Sequence, residues 1–109
     1  MPSYSRNDVI LVQYPFTDLS GQKVRPAIVV HAPHSSPDLI IVPLTSRTSP
    51  LHAGEFVLSN WAGAGLHLPT VVKRGIFTIH PTLVMKSLAR LSTPDAQQLD
   101  QSLRMWLSL

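Results

Sequence analysis

The chain has 109 residues, 44% of them hydrophobic and only 14% charged, which suits one compact domain with material for a core and excludes a disordered chain. Nine Lys and Arg against six acids give a net charge of +3 and a pI near 9.8, a balance that favours a polyanionic partner. With no cysteine, disulfides, thiolate zinc sites and cysteine nucleophiles are excluded together.

No apolar run approaches the roughly 20 residues that span a bilayer, so no membrane association is expected. The start of the chain, Met1-Pro-Ser-Tyr-Ser-Arg-Asn-Asp8, passes from polar residues straight into a strand-like run. No apolar signal region directs export, and a cytoplasmic location is the expectation.

Asp8 to Tyr14 (DVILVQY) reads as a strand ended by Pro15, and the polar stretch Phe16 to Val24 with its Ser-Gly turn as a loop. Pro26 to His31 (PAIVVH) and Leu39 to Leu44 (LIIVPL) are apolar on both faces. Such runs belong to strands buried on both sides or to a small closed barrel. Pro33 to Asp38 and Ser46 to Ala53 are loops. Glu55 to Leu58 is a fourth strand, and Asn60 to Leu66 (NWAGAGL) a glycine-punctuated connection in which Ala62-Gly-Ala-Gly65 forms a flexible turn. Thr70 to Lys73 and Ile76 to Ile79 are strand-like, Pro81 to Lys86 suits one helical turn, and Ser87 to Leu91 a last strand.

The C-terminal segment carries the clearest helix. Ser92-Thr-Pro-Asp95 is a capping-box variant, with the cap at Ser92, an acid three residues on and Pro94 in the first turn. Ala96, Leu99, Leu103 and Trp106 recur at helical spacing, with Gln97, Gln98, Asp100 and Gln101 on the other side. The whole reads as residues 1–109 in a single, mainly β domain closed by a C-terminal helix.

Titratable groups for chemistry are few. Glu55 is the only glutamate, beside Asp8, Asp18, Asp38, Asp95 and Asp100, so a carboxylate pair or an oxygen-ligand metal cage has little to be built from. The histidines His31, His34, His52, His67 and His80 show no HExxH pattern and read as structural or solvent-facing rather than as metal ligands. No GxSxG elbow, phosphate-binding GxxxxGK or GxGxxG is present. Two strand ends stand out instead. Arg25 enters a strongly apolar strand, held extended by Pro26, and Thr45-Ser46-Arg47-Thr48 leaves the end of another. A guanidinium and a hydroxyl at the ends of core strands suit the holding of a phosphate.

At these residues the chain resembles the MazF/PemK family of toxins. Asn7-Asp-Val-Ile-Leu-Val-Gln-Tyr-Pro-Phe-Thr-Asp18 is similar to the family's opening Gly-Asp-Val strand and Phe-Thr-Asp loop. Gly21-Gln-Lys-Val-Arg25-Pro-Ala-Ile-Val-Val30 resembles its loop-to-strand element with an Arg-Pro pair, and Val42-Pro-Leu-Thr45-Ser46 its strand ending in Thr-Ser or Thr-Thr. Trp61-Ala-Gly-Ala-Gly-Leu66, Pro69-Thr-Val-Val-Lys73 and Phe77-Thr-Ile79 follow its second half. The resemblance runs from about residue 6 to the C-terminal helix and rests on the order and spacing of these motifs.

The resemblance implies a small SH3-like barrel (the CcdB/MazF-type fold) with a C-terminal α-helix, working as a homodimer and neutralised by a cognate acidic antitoxin. It implies sequence-selective cleavage of single-stranded RNA without metal or other cofactor, by attack of the ribose 2′-hydroxyl on the adjacent phosphorus. Arg25 then matches the catalytic arginine and Thr45 the hydroxyl residue beside it. Thr17, Asp18, Ser46 and Lys73 are the candidate RNA contacts.

The chain also departs from the family pattern. Asn7 stands for the usual glycine. The stretch Lys73-Arg74-Gly75 lacks an acid that some members carry, and Ser20-Gly-Gln-Lys23 lacks a glutamate that others carry. The general acid and base therefore do not transfer, and Asp18, His31 and His80 are candidates on residue type alone.

Two further readings stay open. The fold also resembles CcdB-type toxins, which jam DNA gyrase without catalysis and have no need of the Arg-Pro and Thr-Ser pairs. The missing acid leaves room for an RNA-binding barrel whose active site has decayed. Trp106, on the apolar helix face, reads as core, whereas Trp61 is open to core packing, stacking on a base or a place at a dimer interface.

Overall fold

Alternation along the three long strands decides the architecture of the computed structural model, which describes residues 4–14, 23–31 and 36–109. β1 (Asp8–Tyr14), β2 (Lys23–Val29) and β3 (Leu39–Thr45) pair antiparallel in the order β1-β2-β3, with Val9 opposite Ile28 and Ile28 opposite Val42. Those three residues and Leu44 pack on one face, while Ile10, Val12, Ala27, Val29, Leu39 and Ile41 pack on the other. Successive side chains in a strand point to opposite faces, so a continuous apolar run buries both.

The remaining strands are β4 (Phe56–Val57), β5 (Val71–Val72), β6 (Phe77–Ile79) and β7 (Val84–Arg90). They extend the sheet to the order β4-β5-β3-β2-β1-β7, with β6 also on β3. β5 and β6 share one flank of β3: Leu44 and Thr45 face β5, whereas Leu39 to Ile41 face β6. The break between them falls at Pro43, which has no N–H to donate to a neighbour. Its carbonyl still accepts from Lys73 N at 3.0 Å.

A helix α1 (Thr93–Leu107) covers the Val9 face. Leu99 and Leu103 join Val9, Ile28, Val42, Leu44, Leu58, Ala64 and Val72 in one cluster, with Trp61 and Trp106 packed against it. Ile79, Tyr4, Leu83 and Val84 cover the other face. The architecture is thus mainly β with one C-terminal helix. The hydrogen-bonded order runs open from β4 to β7 among the described residues, so the ring of strands is barrel-like without closing.

Several boundaries differ from the sequence expectation. β2 begins at Lys23, ahead of the apolar run, because its pairing with β1 extends to the Tyr14–Lys23 pair. The helical turn foreseen over Pro81 to Lys86 is a 3-10 turn of Pro81–Leu83 only, since Val84 already pairs with Val12 in β7. Ser92 caps α1 as expected, accepting from Asp95 N. The Asp95 carboxylate in turn accepts from the Ser92 hydroxyl at 3.1 Å. It also reaches across to accept from Ser59 N at 2.8 Å and Asn60 N at 3.0 Å.

Asn7 has φ +77°, a left-handed conformation that glycine adopts freely and that asparagine tolerates better than most side chains. Its N–H donates to Val29 O at 2.7 Å and its carbonyl accepts from Leu91 N at 3.0 Å. Asparagine therefore meets the backbone demand of a position where the family resemblance implies glycine.

Candidate active site

A cleft of about 530 Å³ opens where the ends of β2 and β3 meet the connection between β4 and β5. β2 contributes Val24, Arg25 and Pro26, and the end of β3 contributes Leu44, Thr45 and Ser46. Gly65 to Leu68 and Thr70 form the connection's side, and Leu11 of β1 and Leu88 of β7 complete the wall. Most of these side chains are apolar. The groups able to engage an anion are the Arg25 guanidinium, the Thr45 and Ser46 hydroxyls and the His67 ring.

Each is positioned by ordinary strand and turn chemistry. Arg25 lies opposite Val12 in the β1–β2 register, inside the strand rather than before it, and is exposed. Thr45 is the last residue of β3 and pairs with Val71. Its Oγ1 accepts from Arg47 N at 3.2 Å, which uses a lone pair and leaves its own proton available for a ligand oxygen.

Leu88 enters through a β-bulge. Val9 pairs with Ala89 and Ile10 with Ser87, so Leu88 between them opposes no residue of β1. Bulges of this kind re-aim a side chain, and Leu88 turns into the cleft wall. Gly65 lies against it with φ +87°, and a Cβ built there would come within 2.9 Å of the Leu88 Cβ. Only glycine meets both demands, the positive φ and the close approach.

The connection that brings His67 to the cleft is well anchored. Ala64 N donates to Asn60 O, Leu66 N to Trp61 O at 3.0 Å, and Gly65 N to Ala62 O at 3.0 Å. Ala64 is fully buried. The Ala62–Gly65 run, expected to be a flexible turn, is a turn stitched into the core, and Trp61 is half-buried against that core. Beyond His67, Thr70 Oγ1 donates to Leu68 O at 2.8 Å.

The structure thus brings Arg25, Thr45 and Ser46 into one cleft. Lys73 is not among the residues that line it; it is exposed, one residue beyond β5. Its charge acts instead on Glu55, whose carboxylate accepts from the backbone N–H groups of His52 and Arg74 at 2.8 and 2.9 Å. Thr17 and Asp18 lie outside the described residues.

Of the acid–base candidates, Asp18 is likewise outside, and neither His31 nor His80 lines the cleft. His80 caps the 3-10 turn, its Nδ1 accepting from Thr82 N at 3.2 Å. His67, read from the sequence as structural or solvent-facing, lines the cleft. Its signal was a titratable side chain directly after the glycine-rich stretch Trp61 to Leu66 that resembles the family. Among the described residues no group of three or more His, Cys, Asp or Glu is placed to hold a metal ion, and no helix is long and apolar enough to cross a membrane.

Residues 5–107 match the family model described as PemK-like, MazF-like toxin of type II toxin-antitoxin system. No curated protein gives a match. Among solved structures, the chain is similar to an endoribonuclease in complex with its cognate antitoxin from Mycobacterial species, with a TM-score of 0.78 and 14% identity over 98% of this chain and 97% of that one. It is similar to the Mycobacterium tuberculosis toxin MazF-mt6, with a TM-score of 0.74 and 20% identity over 94% and 97%. A MazE-MazF crystal structure from Deinococcus radiodurans matches with a TM-score of 0.73 and 16% identity over 100% and 99%. At these identities the likeness is one of fold.

Proposed function

The chain belongs to the PemK-like, MazF-like toxins of type II toxin–antitoxin systems, and from that premise we propose that it is an endoribonuclease that cleaves single-stranded RNA in the cytoplasm until an antitoxin blocks it. The observation that carries the reading is the convergence of the Arg25 guanidinium with the Thr45 and Ser46 hydroxyls in one cleft.

The chemistry follows from that grouping. The ribose 2′-hydroxyl attacks the adjacent phosphorus, the bond from phosphorus to the 5′-oxygen breaks, and the products carry a 2′,3′-cyclic phosphate and a 5′-hydroxyl. Negative charge gathers on the non-bridging oxygens as the phosphorus becomes five-coordinate. A guanidinium already in place stabilises that charge with two parallel donors, and hydroxyl donors beside it orient the phosphate. Arg25 therefore supplies the positive charge that a metal ion supplies in other nucleases, and the reaction needs no cofactor.

The apolar walls suit an unstacked base, which a single strand offers, and the attacking 2′-hydroxyl makes that strand RNA. The net charge of +3 favours both RNA and an acidic antitoxin peptide that competes for the same surface. Two of the structural neighbours are themselves toxin–antitoxin complexes, which supports a cognate antitoxin as partner. A homodimer is the assembly proposed for the free toxin.

Incubation of the protein with single-stranded RNA in excess EDTA tests the reading. Cleavage to 2′,3′-cyclic phosphate and 5′-hydroxyl ends is expected. Absence of cleavage, or cleavage only after magnesium is restored, would overturn it.

A further inference from the structure

We propose that His67 is the general acid of the cleavage reaction, protonating the 5′-oxygen as its bond to phosphorus breaks. The inference rests on the ribonuclease reading above and completes it with the proton donor that the family-like motifs of this chain do not provide.

Among the described residues that line the cleft, two carry a titratable side chain, Arg25 and His67. A guanidinium stays protonated in proteins, so Arg25 stabilises charge but does not deliver a proton. The Thr45 and Ser46 hydroxyls are too weakly acidic to serve at neutral pH. Histidine is the side chain whose charge changes near neutrality, which suits it to proton transfer.

The two sets of groups arrive from different elements. Arg25, Thr45 and Ser46 come from the ends of β2 and β3, whereas His67 comes from the connection between β4 and β5. An in-line displacement needs such a division. The cation and hydroxyls act on the non-bridging oxygens, and the proton donor reaches an oxygen on the axis of attack. His67 is exposed, but the chain is fixed on both sides of it, by Leu66 N donating to Trp61 O and by Thr70 Oγ1 donating to Leu68 O. A side chain carried on a held backbone loses less freedom on engaging the substrate.

One proton-transfer group serves one of the two reacting oxygens, and the leaving oxygen has the greater need. A ribose 2′-hydroxyl is more acidic than the 5′-hydroxyl it displaces, so the unassisted 5′-alkoxide is the poorer species to release. The bond from the 2′-oxygen to phosphorus forms, the bond to the 5′-oxygen breaks, and the imidazolium proton passes to that oxygen. The 2′-hydroxyl proton leaves to water, and His67 regains its proton from solvent.

An RNA whose cleaved linkage carries a bridging 5′-sulfur tests this, because a thiolate leaves without a proton. The wild-type protein, His67→Ala and His67→Gln are compared on the oxygen and sulfur substrates, with thermal unfolding to confirm that each variant is folded. Both variants should cleave the oxygen substrate slower by about 10²–10⁴ and the sulfur substrate at close to the wild-type rate. Equal losses on both substrates, or full activity of folded His67→Ala on the oxygen substrate, would overturn the assignment while leaving the ribonuclease reading intact. A folded wild-type protein that cleaves neither substrate would overturn both.

Discussion

The single glutamate of the chain, Glu55, sits away from the cleft and ties two connections together through its bonds from His52 N and Arg74 N. Burial by itself raises its pKa. The hydrogen bonds from the Arg74 and His52 backbone and the charges of His52 and Lys73 outweigh that and hold it below its ordinary 4.5. A carboxyl whose pKa is depressed by folding stabilises the folded state above the unfolded value, and that contribution is lost as the pH falls through the folded value. Glu55→Gln should therefore lower the melting temperature at pH 7, and the gap to wild type should narrow below about pH 4.5. A gap of the same size at pH 7 and near pH 3 would contradict this. The partnership was not legible in the sequence, because Glu55 and Arg74 are 19 positions apart and no local pattern links them. Asn7 was legible only as a departure from the glycine that the family resemblance implies; the positive φ behind it emerges from the fold.

At the scale of elements, α1 is joined to the rest by polar contacts as well as by its apolar face. Asp95 is buried and accepts from Ser59 N and Asn60 N. Ser102 Oγ donates to Gly54 O at 2.7 Å, and Trp106 Nε1 donates to Ala53 O at 2.8 Å. The helix thus pins both ends of the segment that carries β4, and the Asp95 bonds fix the start of the connection that leads to His67. Asp95→Ala leaves two backbone N–H groups without their carboxylate. We expect a loss of about 2–3 kcal/mol in urea unfolding, and a loss below about 0.5 kcal/mol would show that water replaces the carboxylate. The helix, its Ser92 cap and the three long strands were legible because periodicity and capping are local signals. The start of β2 and the short extent of the 3-10 turn were not, since partner strands set both. The cross-chain reach of Asp95 was hidden because the same residue satisfies the capping-box pattern equally well.

For the whole molecule, the sheet is covered on both faces, so the positions open to chemistry lie at the strand ends and in the connections. That is why Arg25, Thr45 and Ser46 were legible as strand-end polar residues and through the family resemblance, while His67 was not. A histidine in a connection gains meaning only when the fold carries that connection to the mouth of β2 and β3. Arg25 as the preorganised cation of an RNA-cleaving site is tested by the cleavage rate of one single-stranded RNA by Arg25→Ala, with thermal unfolding recorded alongside. Arg25 is exposed, so its loss should leave the melting temperature close to that of wild type. The rate should fall by about 10²–10³, and Arg25→Lys, which keeps the charge but not the planar fork, should remain badly impaired. Cleavage by folded Arg25→Ala at the wild-type rate would contradict that role for Arg25.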